Sequence, residues 1–226
     1  MVKIFGDFND TEIKSREFLK LRFSPSSIPL QQRWRNNGLS ADFLADYLTT
    51  FLPSDENNSN TIKRETELKD AVSYIANELL ENAMKFNDDS SAYPISIQFQ
   101  LYHDHLRLCI SNSIPAEKIV GFQSFLTELH SINPQDFYIR QIERANEDGN
   151  ISSGLGLLTM IDDYGAKLGW KFETFQATDD PNESLCLIEF FNKFNVFVLL
   201  KGITERFFAT KNPTITVVTT MVQLAI

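Results

Sequence analysis

One ten-residue stretch of the sequence, NELLENAMKF at positions 77–86, combines three side chains that could do chemistry together. At about 100° per residue, Glu78, Asn82 and Lys85 fall within an arc of roughly 60° on a helix, beside its apolar face. A carboxylate can accept a proton, an amide oxygen can bind a hard cation such as Mg²⁺, and an ammonium can pair with phosphate. The same pattern is typical of the charged flank of an ordinary amphipathic helix, so alone it does not indicate a site.

A second motif, SSGLGLL at positions 152–158, places Gly154 and Gly156 where a helix should begin. Glycine allows a ligand to approach the backbone closely, and the free amides of a first helical turn favour an anionic group. Glycine turns before helices are common, and the dinucleotide-binding fingerprint does not fit because no parallel βαβ unit surrounds this pair. The motif therefore predicts an anion site only in combination with the first.

The order of these pieces resembles the ATP-binding domain of the GHKL superfamily, which includes gyrase, histidine kinases and MutL. A helix carries ELLENAMKF, two hairpin strands and an irregular segment follow, and SGLGLLTM opens a second helix. The resemblance covers about residues 65–176 and the final strand. In size the chain is similar to the stand-alone bacterial regulators of the anti-sigma-factor or switch-kinase type.

The resemblance implies a role for each matching residue. Glu78 would be the general base of the family's N box, Asn82 would bind Mg²⁺ with the nucleotide, and Lys85 would lie near phosphate. The family's second glycine box, which closes over the triphosphate, would comprise Gly154, Leu155, Gly156 and Leu157.

The sequence departs from the family pattern after the strand that ends at Ile110. The family has an Asp-x-Gly-x-Gly box there, whereas this chain has SNSIP at positions 111–115. Asn112 stands where the adenine-reading Asp would be, and its oxygen is a neutral and weaker acceptor for the adenine amino group. The alternative interpretation of Asn112 is a turn residue before Pro115.

The resemblance implies a Mg²⁺-ATP-binding regulatory protein, with ATP and Mg²⁺ as cofactors and a partner protein as its target. We expect a serine/threonine-type switch kinase or anti-sigma-like regulator, in which Glu78 takes the hydroxyl proton of the acceptor. The rival hypothesis is a non-catalytic nucleotide sensor or interaction module that keeps the fold without turnover. The altered segment 111–115 favours the sensor, and the presence of Glu78 and Asn82 favours the enzyme.

The elements that must position these residues follow from hydrophobic periodicity. We expect a long helix over 63–86, an antiparallel hairpin of strands 95–101 and 106–110, and a helix over 117–129 in an otherwise irregular 113–153. A helix from Gly154 to Leu168, stopped by Gly169, should precede strand 170–175 and the last strand, 214–226. This order predicts an α+β two-layer sandwich. The resemblance to the GHKL domain implies the Bergerat type of that architecture.

The N-terminal part is predicted to form a helical extension. Residues 1–23 are interpreted as a short strand followed by a helical stretch, and 26–52 as a pair of helices with a turn at Asn36–Gly38. The pair is a candidate surface for a partner or a homodimer, or else a cover for a sheet edge. We therefore divide the chain into an extension (1–60) and an ATP-binding domain (61–226) with an atypical insertion at about 177–213.

Composition narrows the classes of partner. The chain has 226 residues, with 21 Lys and Arg against 30 Asp and Glu, for a formal net charge of −9. This balance disfavours a nucleic-acid partner, because such binding depends on neutralising phosphates with basic side chains. The N-terminus has no signal-peptide pattern, and no stretch is apolar enough for a bilayer, so we expect a cytoplasmic protein without a membrane partner.

Overall fold

The computed structural model describes residues 2–9, 15–23, 34–52, 58–91, 93–148, 154–176 and 214–225. Within these ranges the chain forms six strands and five helices. In chain order they are β1 (Val2–Gly6), β2 (Glu17–Phe23), α1 (Trp34–Thr49), α2 (Ser59–Phe86), β3 (Ile95–Leu101), β4 (His105–Ser113), α3 (Ala116–Ser131), α4 (Pro134–Asp148), α5 (Leu155–Asp162), β5 (Lys167–Gln176) and β6 (Thr214–Ala225).

The strands form one antiparallel sheet in the order β1-β5-β6-β4-β3-β2. Alternate residues of the central strands are apolar and point to one face, where they are buried against the helices. Ile97 pairs with Ile110 and Phe99 with Leu108, so strand register continues the apolar face from β3 into β4. The predicted α+β class is confirmed, while its assignment to the Bergerat type stays a prediction.

Helix α2 forms the centre of the helical layer. Asn58 caps its first turn by accepting a hydrogen bond from the backbone N–H of Asn60 at 3.1 Å. The helix then runs for 28 residues without Gly or Pro, as its periodicity predicts. Its buried face presses on the sheet and on α1 through Ala71, Val72, Ile75, Ala76, Leu79, Leu80, Ala83 and Met84.

The predicted β3–β4 hairpin and the last strand are confirmed. The backbone N–H of Tyr102 donates to the carbonyl of His105 at 2.9 Å, which closes the turn. β6 lies between β4 and β5 and pairs with both, so the end of the described chain occupies a central position in the sheet. The predicted insertion, 177–213, lies outside the described residues.

The helical prediction for the N-terminal stretch is wrong at Glu17–Phe23, which is strand β2. Its sequence, EFLKLRF, alternates apolar and polar residues, and pairing with β3 buries one side of that alternation. A period of two favours a strand wherever a partner edge is present. β1 and β2 therefore contribute the two edges of the same sheet.

The predicted turn at Asn36–Gly38 is also wrong, because α1 continues through it. Packing on α2 fully buries Ala41, Leu44 and Leu48. This tertiary burial outweighs the helix propensity lost at one glycine, roughly 1 kcal/mol. The first part of the predicted helical pair, residues 26–33, lies outside the described residues.

Two further elements differ from the prediction between β4 and β5. Residues 134–148, taken as irregular, form the amphipathic helix α4 with Phe137 on its buried side. Helix α5 ends at Asp162 rather than Leu168, because Gly165 adopts a left-handed conformation with φ of 60° and begins a turn into β5. Gly169, predicted to stop a helix, is an interior residue of β5.

No helix in the ranges described is both long and apolar enough to cross a membrane.

Candidate functional site

A cavity of about 530 Å³ lies between α2, α3, the start of α5 and the sheet. Its volume is in the range of small-molecule sites in proteins. Its inner surface is largely apolar, with contributions from Ile110, Phe125 and Trp170. The predicted site residues all line it: Glu78, Asn82, Lys85, Asn112, Gly154, Leu155, Gly156 and Leu157.

Helix α2 supplies a row of polar groups along one wall. Glu78, Asn82 and Lys85 face the cavity at the spacing that the sequence predicts. Glu81 also lines the wall, and one of its carboxylate oxygens accepts a hydrogen bond from Nδ2 of Asn77 at 2.9 Å. The row therefore places two carboxylates, an amide and an ammonium on about two turns of helix.

Burial raises the pKa of the Glu78 carboxyl above its usual value, and the nearby negative charge of Glu81 adds to the effect. Desolvation disfavours the charged form of a carboxyl, and a like charge does the same. Glu78 is thus a stronger base than an exposed glutamate. A raised pKa makes a carboxylate better suited to act as a general base.

The start of α5 lies directly against this carboxylate. A side chain at Gly156 would collide with Oε2 of Glu78, so only glycine allows this approach. Gly154 is the N-cap in a left-handed conformation with φ of 60°, and its position is packed against the ring of Phe125. The two sequence motifs, more than 60 residues apart, therefore meet at one place.

The amides at the start of α5 have no side-chain cap, since Gly154 carries no side chain. The N–H groups of Leu157 and Leu158 donate to the Gly154 carbonyl at 3.1 and 3.3 Å. The preceding amides of the turn have no carbonyl partner of their own within the helix. Such a turn fits a phosphate or another anion.

Asn112 belongs to strand β4 and pairs with Val218 of β6. Its interpretation as a turn residue is therefore wrong, because the strand continues to Ser113. The side chain is buried on the cavity floor and donates from Nδ2 to the carbonyl of Ser113 at 2.8 Å. With the nitrogen engaged in this way, the side-chain oxygen is the atom that could accept a hydrogen bond from a ligand.

Several cavity residues were not predicted as part of a site. Thr220 of β6 pairs with Ile110 on one side and with Trp170 on the other, so strand register brings its side chain to the cavity floor. Because this register depends on pairing across the sheet, one sequence carries no signal for it. The remaining unpredicted polar, aromatic and glycine positions include Glu81, Lys118, Gly121, Phe122 and Phe125.

Glu78 and Asn82 of α2 bring to the cavity wall side-chain oxygens of the kind that Mg²⁺ binds. The described residues contain no cluster of three or more His, Cys, Asp or Glu side chains with metal-binding geometry. Mg²⁺ bound with a nucleotide needs only one or two protein oxygens, because phosphates and water complete its coordination. The side-chain oxygen of Asn82, beside the Glu78 carboxylate, is the group that could supply such a ligand.

Comparison with solved structures gives distant likenesses only. No protein-family model matches the sequence, and no curated protein matches it. A chain from the SiaB–SiaC complex of Pseudomonas aeruginosa superposes with a TM-score of 0.43 and 11% sequence identity, over 92% of this chain and 89% of that one. A likeness this weak assigns no function to the residues of the cavity.

Proposed function

We propose that the protein is a Mg²⁺-ATP-binding regulator that transfers the γ-phosphoryl group to a serine or threonine of a partner protein. The observation that supports this most is the contact between the Glu78 carboxylate and the backbone of Gly156. Around this contact, the carboxylate of Glu78, the amide of Asn82 and the start of α5 line one cavity, which supports a site for a proton acceptor, a cation and a phosphate. Few ligands other than a metal-bound nucleotide need all three.

Each group has a distinct part in the proposed transfer. The acceptor hydroxyl oxygen forms a bond to the γ-phosphorus, the bond from that phosphorus to the β-phosphate oxygen breaks, and Glu78 takes the hydroxyl proton. When bound at Asn82, Mg²⁺ neutralises charge on the phosphates. The first amides of α5 and the Lys85 ammonium hold the phosphate oxygens in position.

A second candidate is a nucleotide sensor without turnover, and the segment after Ile110 favours it. Asn112 is a neutral acceptor on the cavity floor, and the following residues pass directly into α3 from the N-cap Pro115. The sensor and the kinase share the binding site and differ only in the use of Glu78.

Either would act on a regulatory protein partner or a second copy of the chain, with exposed Leu39 and Phe43 of α1 as candidate contacts.

A thermal shift measurement tests nucleotide binding. A ligand at 100 times its dissociation constant stabilises the folded state by about 2.7 kcal/mol, so Mg²⁺-ATP should raise the melting temperature of the wild type. We expect Asn82→Ala to abolish this rise and chelation of Mg²⁺ to reduce it. Asn60→Ala is the matched control, because Asn60 is exposed in the first turn of the same helix.

If Asn82→Ala and the wild type show the same rise in melting temperature, the site is elsewhere and the proposal is wrong.

Transfer of the γ-phosphoryl group is tested with labelled ATP and proteins that co-purify with the full chain. Loss of a general base slows a reaction by roughly 10²–10⁴-fold, so Glu78→Ala should bind ATP but lose transfer. Binding of ATP with no transfer by the wild type would favour the sensor.

A further inference from the structure

Two lysines lie at the edge of the cavity beside one aromatic ring. Lys85 is in the last turn of α2 and Lys118 is in the first turn of α3, and both line the cavity. Their Nζ atoms are 5.6 Å and 6.0 Å from the centroid of the Phe86 ring. Two helices that are separate in sequence thus each bring a positive charge to the same ring and the same cavity.

Neither charge is neutralised by a carboxylate in the described part of the chain. Both side chains are exposed, and neither Nζ forms an ion pair with a described Asp or Glu. Attraction to the ring face contributes only about 0.5–1 kcal/mol at an exposed site. Because both side chains line the cavity, an anion bound there is attracted to both positive charges.

The remaining surface of the cavity indicates where such an anion would sit in a larger ligand. The floor of the cavity on the sheet is apolar, with Ile110 and Trp170, and suits an uncharged ring. Glu78 and Glu81 lie on the α2 wall, and their negative charge would repel an anion unless a bound cation offset it. The polar end of the ligand therefore belongs at the lysines, and its flat end belongs in the interior.

We infer that Lys118 joins Lys85 in binding the phosphate chain, so that the cavity selects nucleotides by their number of phosphate charges. This inference rests on the proposed function and adds to it a residue and an order of affinity. ATP binds more tightly than ADP, ADP more tightly than AMP, and adenosine most weakly. The differences in affinity between these ligands become smaller at high ionic strength, because salt screens exposed charges.

The experiment is calorimetric titration of the full chain with adenosine, AMP, ADP, ATP and inorganic tripolyphosphate, each with Mg²⁺. A hydrogen bond to a charged group contributes about 1.5–3 kcal/mol, so loss of an exposed one should weaken binding roughly tenfold. We expect Lys118→Gln to lose this factor for ATP and tripolyphosphate and to bind adenosine as the wild type does. Lys118→Arg should retain most of the affinity, and Lys63→Gln, on the exposed start of α2, is the control.

The outcomes separate this inference from the proposed function. If the wild type binds ATP and adenosine equally, or if Lys118→Gln weakens both by the same factor, the inference is overturned while nucleotide binding stands. If tripolyphosphate binds and Lys118→Gln weakens it, but no adenine compound binds, the lysine pair is supported and the proposed function fails. If neither tripolyphosphate nor any nucleotide binds, both are wrong.

Discussion

The Glu78 carboxyl shows how a single residue acquires chemistry from its surroundings. On an isolated helix it would be one of several exposed acids. Here the start of α5 covers it, because Gly156 has no side chain to hold the two helices apart. Covering the carboxyl raises its pKa through loss of water, and Glu81 on the next turn raises it further. The property therefore comes from a contact between elements rather than from the glutamate itself.

The raised pKa of Glu78 predicts a pH-dependent penalty on folding. The folded state holds the proton more tightly than the unfolded state, so unfolding becomes easier as pH rises from the unfolded pKa through the folded one. Below the ordinary glutamate range the group is protonated in both states and contributes nothing. We therefore expect Glu78→Gln to melt above the wild type at neutral pH, with the difference vanishing below about pH 4.

Melting curves of the nucleotide-free protein between acidic and neutral pH measure this difference. Glu143→Gln is the matched control, because Glu143 is exposed on α4, and it should show no such pH-dependent gain. A Glu78→Gln protein less stable than the wild type at neutral pH would mean that the carboxylate stabilises the fold, contrary to the expectation.

Much of the site could be predicted at the residue scale, because it lies in two short motifs. Helical spacing puts Glu78, Asn82 and Lys85 on one wall, and a pair of glycines indicates a close approach before its partner is known. Asn112 reaches the cavity only because β4 extends through it into the sheet. Lys118 carried no signal, since its place beside Phe86 depends on how α3 packs against the end of α2.

At the element scale, helix α1 contains Gly38, a residue on which the sequence predicted a turn. Gly38 lies in the helix, and a Cβ there would meet no atom within 4 Å. Glycine in a helix interior lowers stability by roughly 0.5–1 kcal/mol relative to alanine. We expect Gly38→Ala to raise the free energy of unfolding by about this amount, as measured by urea denaturation.

Gly165→Ala is the matched control, because its Cβ would also meet nothing within 4 Å. Its φ of 60° is left-handed, which is unfavourable for alanine by roughly 1–2 kcal/mol. The same substitution should thus stabilise the chain in α1 and destabilise it in the turn before β5. Equal effects at both positions would contradict the assignment of a helix at Gly38.

The elements that could be predicted are those whose hydrophobic pattern repeats over many consecutive residues. Helix α2 has 28 residues, and its buried apolar residues recur at helical spacing from Ala71 to Met84, while the β3–β4 hairpin alternates over both strands. β2 has only seven residues, so a period of two is difficult to tell from a mixed helical pattern. α4 is amphipathic, but it exposes Tyr138, Ile139 and Ile142, so most of its bulky apolar residues lie away from the buried side at Phe137 and do not mark that side in the sequence.

At the scale of the whole molecule, the N-terminal segment supplies both edge strands of the sheet. β1 pairs with β5 at one edge, and β2 pairs with β3 at the other. Between them the N–H of Asp7 donates to the carbonyl of Leu168 at 2.9 Å, and the carbonyl of Asn9 accepts from the Arg107 guanidinium at 3.4 Å. Residues 7–9, which follow β1, therefore contact both β5 and β4, and the N-terminal segment contributes contacts to the sheet beyond its own two strands.

At Gly169 the backbone of residue 8 lies too close to β5 to leave room for a side chain. A Cβ at Gly169 would collide with the backbone of Phe8, and backbone atoms cannot move aside as the end of a flexible side chain can. Forcing extra atoms into a packed site costs about 1–3 kcal/mol. We expect Gly169→Ala to lower the melting temperature by several degrees, at roughly 2–4 °C for each kcal/mol in a chain of this size.

Gly121→Ala is the control. Its Cβ would meet no atom within 4 Å, so this variant should melt at or above the wild type. A Gly169→Ala protein as stable as the wild type would mean that residues 7–9 do not lie against β5 in solution.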